Sequence, residues 1–259
     1  GMVFVRGNPL DFERWASYGL PKWSYKNVLP YFKKLETWSG GENLYRGGKG
    51  PLKVNRSKID EAFPLFKSLI KAAAEAGYDT FEDSNGFKQD GFGTFDVTID
   101  NGKRQGVSRA YLNEVKGYKN LLIEHNTDVS KIIFKEKKAI GVEIRRDNNS
   151  EIYYCNKEII LSSGSINSPK ILQLSGIGDE KTLSQNGIDV INHLPGVGQN
   201  LQDHLEIYIQ HKSKIKDTLY NLSTNYFTQA VEGIKWFLFK KGMLTYSHLE
   251  AGGFVKTSE

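Results

Sequence analysis

Cysteine is nearly absent from these 259 residues, where Cys155 stands alone. One sulfur forms neither an intrachain disulfide nor a multi-cysteine zinc site, since both need several at fixed spacing. Long apolar runs are missing as well: no stretch of about 18 apolar residues exists to span a bilayer, and no basic segment with an apolar core and cleavage site opens the chain. A strong charge of either sign is also lacking. The 35 Lys and Arg against 30 Asp and Glu leave a formal +5, spread in pairs such as Lys33-Lys34, Lys137-Lys138 and Lys240-Lys241. This is a solvated surface and not the basic stripe of a nucleic-acid binder. What is present is globular material, with 39% hydrophobic and 12% aromatic residues, far from disordered composition. At about 150 residues per domain the length allows one large or two ordinary domains. The chain opens on Gly1 and closes on Val255 to Glu259 without a stop-like tail, so we expect a piece of a longer protein.

Asn8 followed by Pro9 predicts a capped first helix, and Ser24 a second cap for Tyr25 to Trp38, with Pro30 kinking or ending that helix. Ser39 to Gly50, rich in glycine, reads as a loop or lid. Phe63, Phe66, Ile70 and Ala73 follow a 3.6-residue period within a helix Ile59 to Ala76 that Gly77 should stop, and another helix is expected from Ser108 toward Lys116. From Val129 the period becomes two, predicting an antiparallel meander over Val129 to Phe134, Ala139 to Arg145 and Glu151 to Cys155. A strand Glu158 to Ser162 should then feed a helix capped by Ser168, with Pro169 in its first turn. Strands Asp189 to Asn192 and Leu205 to Gln210 and a helix Thr224 to Lys240 complete the expectation. Helical blocks flanking a strand block imply a mixed α/β (α+β) architecture.

The segment Ile159 to Pro169 joins an apolar strand to a helix through small residues, a geometry that can offer backbone N–H groups to a phosphate or nucleotide. A tight connection packed by small side chains explains the same residues. No Gly-x-Gly-x-x-Gly is present: Gly176-Ile177-Gly178 and Gly196-Val197-Gly198 lack the third glycine. Gly-x-Ser-x-Gly is not formed around Ser163 to Ser165. Pairing His204-Leu205-Glu206 with His248-Leu249-Glu250 is a weak metal set, and no metal is expected. The aromatic residues near Trp15, Trp23 and Tyr25 read as packing.

Gly164 through Gly178 fills every fixed position of the second signature of the glucose-methanol-choline (GMC) oxidoreductases, and the chain resembles that family. Gly1 to Glu13 is similar to the end of the family's first signature, whose glycine-rich beginning would lie upstream of Gly1. Further resemblance lies in Trp23-Ser24-Tyr25 with Leu29 to Phe32, in Asp90 to Gly93, in Ser108 to Leu112 and in Leu194 to His204, in family order. The resemblance implies FAD as cofactor. It places Gly164, Ser165, Ile166, Ser168 and Pro169 against it, Val129 at the adenine end, and Asn200, Asp203 and His204 near the flavin. His204 is implied as an orienting partner, because the family's proton-abstracting histidine lies beyond Glu259. Gln202 to Tyr208 most resembles the choline-oxidising branch, in which the glutamate two residues after the histidine faces the trimethylammonium group, so Glu206 is implied as the substrate-binding residue. The physics suits that role, since a quaternary ammonium donates no conventional hydrogen bond and is held by charge and aromatic faces. A surface ion pair is the plain alternative for Glu206.

The implied organisation interleaves an FAD domain (1–56 and 119–203) with a substrate domain (57–118 and 204–259). The implied reaction is oxidation of an alcohol, choline first, to betaine aldehyde, in the cytoplasm or peripheral to a bacterial inner membrane, with no nucleic-acid partner and no electron acceptor assigned. The alternatives are a GMC enzyme for another primary alcohol, or a non-catalytic remnant unable to bind FAD alone.

Overall fold

A computed structural model of the chain describes residues 1–56, 64–147, 149–212, 214, 218, 220, 223–245, 247, 249 and 251–257. The architecture is mixed α/β, and it divides into two units, Gly1–Leu121 with His211–Glu259, and Leu122–Gln210.

In the first unit, β1 (Val3–Phe4) leads to α1 (Pro9–Ser17), whose cap is the expected one: the Asn8 side chain accepts from Leu10 N–H at 2.9 Å, with Pro9 in the first turn. The helix α2 (Tyr25–Leu35) corrects two expectations. Ser24 sits at its start but makes no side-chain capping bond; its carbonyl accepts the Asn27 N–H at 2.9 Å, and the Tyr25 N–H goes to Glu13 of α1 at 2.9 Å. The helix also does not end at Pro30: it runs through to Leu35, three residues short of the expected Trp38. Next come β2 (Glu36–Trp38), β3 (Leu52–Arg56), α3 (Pro64–Glu75), β4 (Gly91–Thr94), β5 (Asp96–Val97), and the pair β6 (Ile99–Asp100) and β7 (Lys103–Arg104). Residues 57–63, including Ile59 and Phe63, lie outside the described residues. Gly77 ends α3 as expected, with φ +88° and with Tyr78 N–H returning to the Ala73 carbonyl at 3.0 Å. Ser108–Leu112 forms wide helical turns that run into the short α4 (Asn113–Val115).

One sheet has the order β1-β5-β3-β2, with β2 parallel to β3 and the other pairs antiparallel. Leu52, Val54 and Ala110 are buried on it beneath Phe4, Leu35, Trp38 and Tyr111. Beside this apolar core lies a charged one. Arg46 is fully buried and bonds Glu36 through two nitrogens (2.9 and 3.1 Å), Asp96 at 2.6 Å and Asp83 at 2.7 Å. Arg6 joins Glu36 at 2.8 Å, and Arg56 approaches Asp96 at 3.4 Å. Burial draws the Arg46 guanidinium down, but its bonds to Glu36 and the charges of Asp96 and Asp83 outweigh that and hold it above its ordinary value. The loop Ser39 to Gly50 carries Arg46 into the core, and Gly47 is required because a Cβ there would stand 1.8 Å from the Lys33 carbonyl oxygen.

In the second unit the meander forms as expected. Strands β8 (Asp128–Lys135), β9 (Lys138–Arg146) and β10 (Asn149–Tyr154) run antiparallel in the order β10-β9-β8, burying Ile132 and Ile144. The expected strand Glu158 to Ser162 is absent; these residues find no strand partner among the described residues, and Ile160 is 79% exposed. The helix α5 (Gly164–Leu174) starts earlier than expected, with Ser163 at its cap and Pro169 inside it. Ser168 does not cap from outside; its hydroxyl reaches back from within the helix to accept Ser163 N–H at 2.9 Å. After α5, β11 (Ile177–Gly178) pairs in parallel with β12 (Asn192–His193), displaced from the expected Asp189 to Asn192, and α6 (Glu180–Gln185) between them is capped by Asp179. Leu205 to Gln210 likewise forms no strand, because no other strand hydrogen-bonds to it among the described residues.

The first unit closes with α7 (Tyr226–Phe239), capped by Asn225, and β13 (Ala251–Phe254), which pairs antiparallel with β4 from Ala251 opposite Thr94 to Phe254 opposite Gly91. Trp236 of α7 donates from its indole nitrogen to the Gly102 carbonyl at 2.7 Å.

Replacing Arg46 by leucine leaves buried Glu36 with Arg6 alone and buried Asp96 with only the longer contact to Arg56, and should lower unfolding free energy by about 3–5 kcal/mol, read as a fall in the urea midpoint at unchanged slope. Gly176, at φ +80°, has room for a Cβ only 2.4 Å from the Asp189 carbonyl oxygen. Gly176→Ala should therefore cost at least about 2 kcal/mol in the same assay.

Candidate functional site

The helix α5 organises the site. Its far end is fixed by Ser175, whose hydroxyl donates to the Ile171 carbonyl and accepts the Ile132 N–H at 2.8 Å. Strand β8 lies at the edge of its sheet, so this bond satisfies a backbone donor that would otherwise be unpaired. Gly176 then turns the chain away, accepting from Ile191 N–H at 2.8 Å.

The near end of α5 is open. Gly164 has φ +86°, and nothing lies within 4 Å of where its Cβ would be. No side chain caps the helix, so the N–H groups of Gly164, Ser165 and Ile166 lack intrahelical acceptors.

Two grooves flank this helix. Ser165, Ile166, Pro169 and Gln173 line one of about 480 Å³ together with Gly198 to Gln202. Val129, Ser163, Asn167 and Ile171 line the other, of about 460 Å³, together with Asp128 and Arg145. Lys170 borders both. The helical spacing explains the division, since 166, 169, 170 and 173 fall on one face while 163, 167, 170, 171 and 174 fall on the next.

Of the residues singled out from the sequence, the structure brings Ser165, Ile166, Pro169 and Asn200 into the first groove and Val129 into the second. Gly164 and Ser168 stand at the helix start. Asp203, His204 and Glu206 line neither groove; Asp203 accepts the His204 backbone N–H at 2.8 Å, and all three are exposed. The Tyr208 phenol donates to the Glu206 carboxylate, and that bond together with the carboxylate's charge pushes the phenol up from its ordinary value. His248 and Glu250, of the weak metal set, lie outside the described residues.

Two residues were missed. Lys170 sits between the grooves, and Gln173 donates to the Val197 carbonyl at 3.2 Å, tying the 196–200 loop to α5. Gly198 (φ +79°) must be glycine for that approach, since its Cβ would meet the Gln173 amide nitrogen at 2.9 Å. The i, i+3, i+4, i+7 spacing from Ile166 would have found both.

The family model for GMC oxidoreductases matches residues 1–206. An oxygen-dependent choline dehydrogenase of Staphylococcus xylosus is 44% identical over all of this chain and 46% of its own length. The mitochondrial choline dehydrogenase of Mus musculus is 43% identical over 99% of this chain and 42% of its own length. The chain thus spans a little under half of either relative. Among solved structures, an FAD-dependent oxidoreductase from Chaetomium thermophilum superposes with a TM-score of 0.88 at 34% identity, covering 96% of this chain and 46% of that one. A formate oxidase gives 0.85 at 26% identity, covering 98% and 45%. From its first residues through the groove that α5 borders, this chain belongs to the GMC oxidoreductase family.

Proposed function

We propose that the protein serves a flavin-dependent oxidation of choline to betaine aldehyde, in which residues of Leu122–Gln210 hold part of FAD. The observation that carries this reading is the meeting of Ser165, Ile166, Pro169 and Asn200 in one groove at the open, uncapped start of α5. Those residues fit the cofactor: unpaired backbone donors suit phosphate and carbonyl oxygens, and the space before Gly164 admits a close approach. When bound, FAD supplies the two-electron oxidant for the alcohol carbon.

The chain's own residues bind and orient. Gly164, Ser165 and Ile166 would donate from their N–H groups, with Ser168 and Pro169 shaping the turn. Val129, across the helix, would border the adenine side. Asn200, Asp203 and His204 would approach the flavin, with His204 an orienting partner. Glu206 would hold the trimethylammonium group by charge. On this reading residues 1–56 and 119–203 contribute to the FAD domain, and residues 57–118 and 204–259 to the substrate domain. The placement that goes with it is cytoplasmic or peripheral to the inner membrane; no helix among the described residues is long and apolar enough to cross a bilayer. The likeness to choline dehydrogenases along the whole chain supports choline over other alcohols.

Two experiments test this, both on the protein expressed from its natural reading frame. Gly164→Ala places a methyl group in the open space before α5. It should cost only about 1 kcal/mol of stability but lower the flavin retained on purification several-fold; full retention would remove FAD from this groove. Glu206→Gln should raise KM for choline roughly tenfold or more, with little change for its neutral isostere, in which a tert-butyl group replaces trimethylammonium. Equal effects on the two alcohols would instead favour a GMC enzyme for a different alcohol.

A further inference from the structure

The helix α7 is amphipathic with its sides reversed. Its packed side carries polar groups: the Trp236 indole donates to the Gly102 carbonyl at 2.7 Å, and Glu232 accepts the Met243 N–H at 2.7 Å and pairs with Lys235 at 2.6 Å. Its open side is apolar. On a 3.6-residue wheel Tyr226, Phe227, Ala230, Ile234, Phe237 and Leu238 fall within about 120° of one another, and the five large ones are between 57% and 85% exposed. They offer roughly 700 Å² of apolar surface, more than the largest patch of an ordinary monomer, about 300–600 Å².

Within that face Tyr226, Ala230, Gly233 and Phe237 stand at i, i+4, i+7 and i+11, in the order large, small, small, large. Order and spacing read the same from either end. Nothing lies within 4 Å of where a Gly233 Cβ would be, so alanine would fit there and would make the better helix. A second backbone approaching from outside gives the glycine its reason.

We propose that this face is an interface between two copies of the chain, α7 packing antiparallel on α7 about a two-fold axis between residues 231 and 232. That operation sets Tyr226 against Phe237 and Ala230 against Gly233, and each contact occurs twice, as an isologous interface requires. The small residues at the middle let the helix axes approach to about 8 Å, while the rings at the ends close over them. Two such faces bury up to roughly 1,400 Å², inside the range of about 1,200–2,000 Å² for a specific dimer. Charge favours the same arrangement. Lys240 and Lys241 follow the helix at one end only, and antiparallel pairing keeps the two sets about 25 Å apart, well beyond the screening length of about 8–10 Å. A lipid surface fits less well, because Gln229 and Val231 border the stripe where an amphipathic helix on a bilayer carries Lys and Arg. The inference does not depend on the cofactor or the alcohol.

The test uses the flavin-loaded protein from its natural reading frame and the variants Gly233→Glu and Gly233→Lys, both of which suit an open helix position. Light scattering after gel filtration gives the mass, and sedimentation equilibrium the association constant. The parent should have twice the mass of one chain at micromolar concentration. Each variant alone should associate at least about tenfold more weakly, since like charges meet near the axis, and an equimolar mixture of the two should recover the dimer. A monomeric parent overturns the inference; co-sedimentation with vesicles of phosphatidylglycerol and phosphatidylcholine then tells a lipid partner from a face covered by another part of the same chain. A dimer that persists in both variants overturns it too, because another surface then joins the copies. Failure of the mixture to recover would mark Gly233 as merely structural and has the same consequence.

Discussion

The guanidinium of Arg46, with none of its side chain exposed, is held between the carboxylates of Glu36 and Asp96 and reaches Asp83 as well. With Arg6 and Arg56 the cluster contains three cations and three anions. Desolvation of each ion costs several kcal/mol, and only dense mutual bonding offsets it. That requirement fixes much of the first unit. Glu36 begins β2, Asp96 begins β5 and Arg56 ends β3, so the sheet cannot slip by a residue without separating charges. Trp38 closes one side, with Arg46 over its ring at 4.4 Å. The glycine-rich stretch between β2 and β3 exists in this form because a backbone must come close enough to deliver Arg46.

A second constraint governs the other unit. An edge strand needs its outward N–H groups satisfied, and Ser175 satisfies that of Ile132 while ending α5. The sheet thereby sets the position of the helix, and the helix sets which residues face each groove. Gln173 extends the same logic to the loop after β12. Three small polar contacts carry the placement of the grooves.

The meander was legible because alternation survives any environment: Ile140, Val142 and Ile144 face one way whatever lies beyond them. The Asn8 cap and the Gly77 stop were legible because both act within a few residues. Alternation alone misled at Leu205 to Gln210, and apolar content at Glu158 to Ser162, since these record a preference for burial while a strand is made by hydrogen bonds to a neighbour. The start of α5 was misplaced because Pro169 usually marks a first turn, whereas here Ser163 and Gly164 turn the chain earlier. Arg46 gave no sign of its burial, as a lone arginine among glycines reads as solvated. The tight turn at Asn101-Gly102, both residues having positive φ, was missed although that pair is its ordinary signature. For the site, motif resemblance found the turn and the Asn200 loop, but the role of Lys170 and Gln173 depended on knowing that one continuous helix runs from residue 164 to 174.

Pro169 within α5 has a consequence for what the groove can recognise. Lacking an N–H, it leaves the Ser165 carbonyl, one turn earlier, without its helical donor. A helix start normally offers hydrogen-bond donors alone and so discriminates only in favour of acceptors. Here the first turn also carries a carbonyl that has no ordinary i+4 donor, so its backbone is not satisfied in the way of a regular helix start.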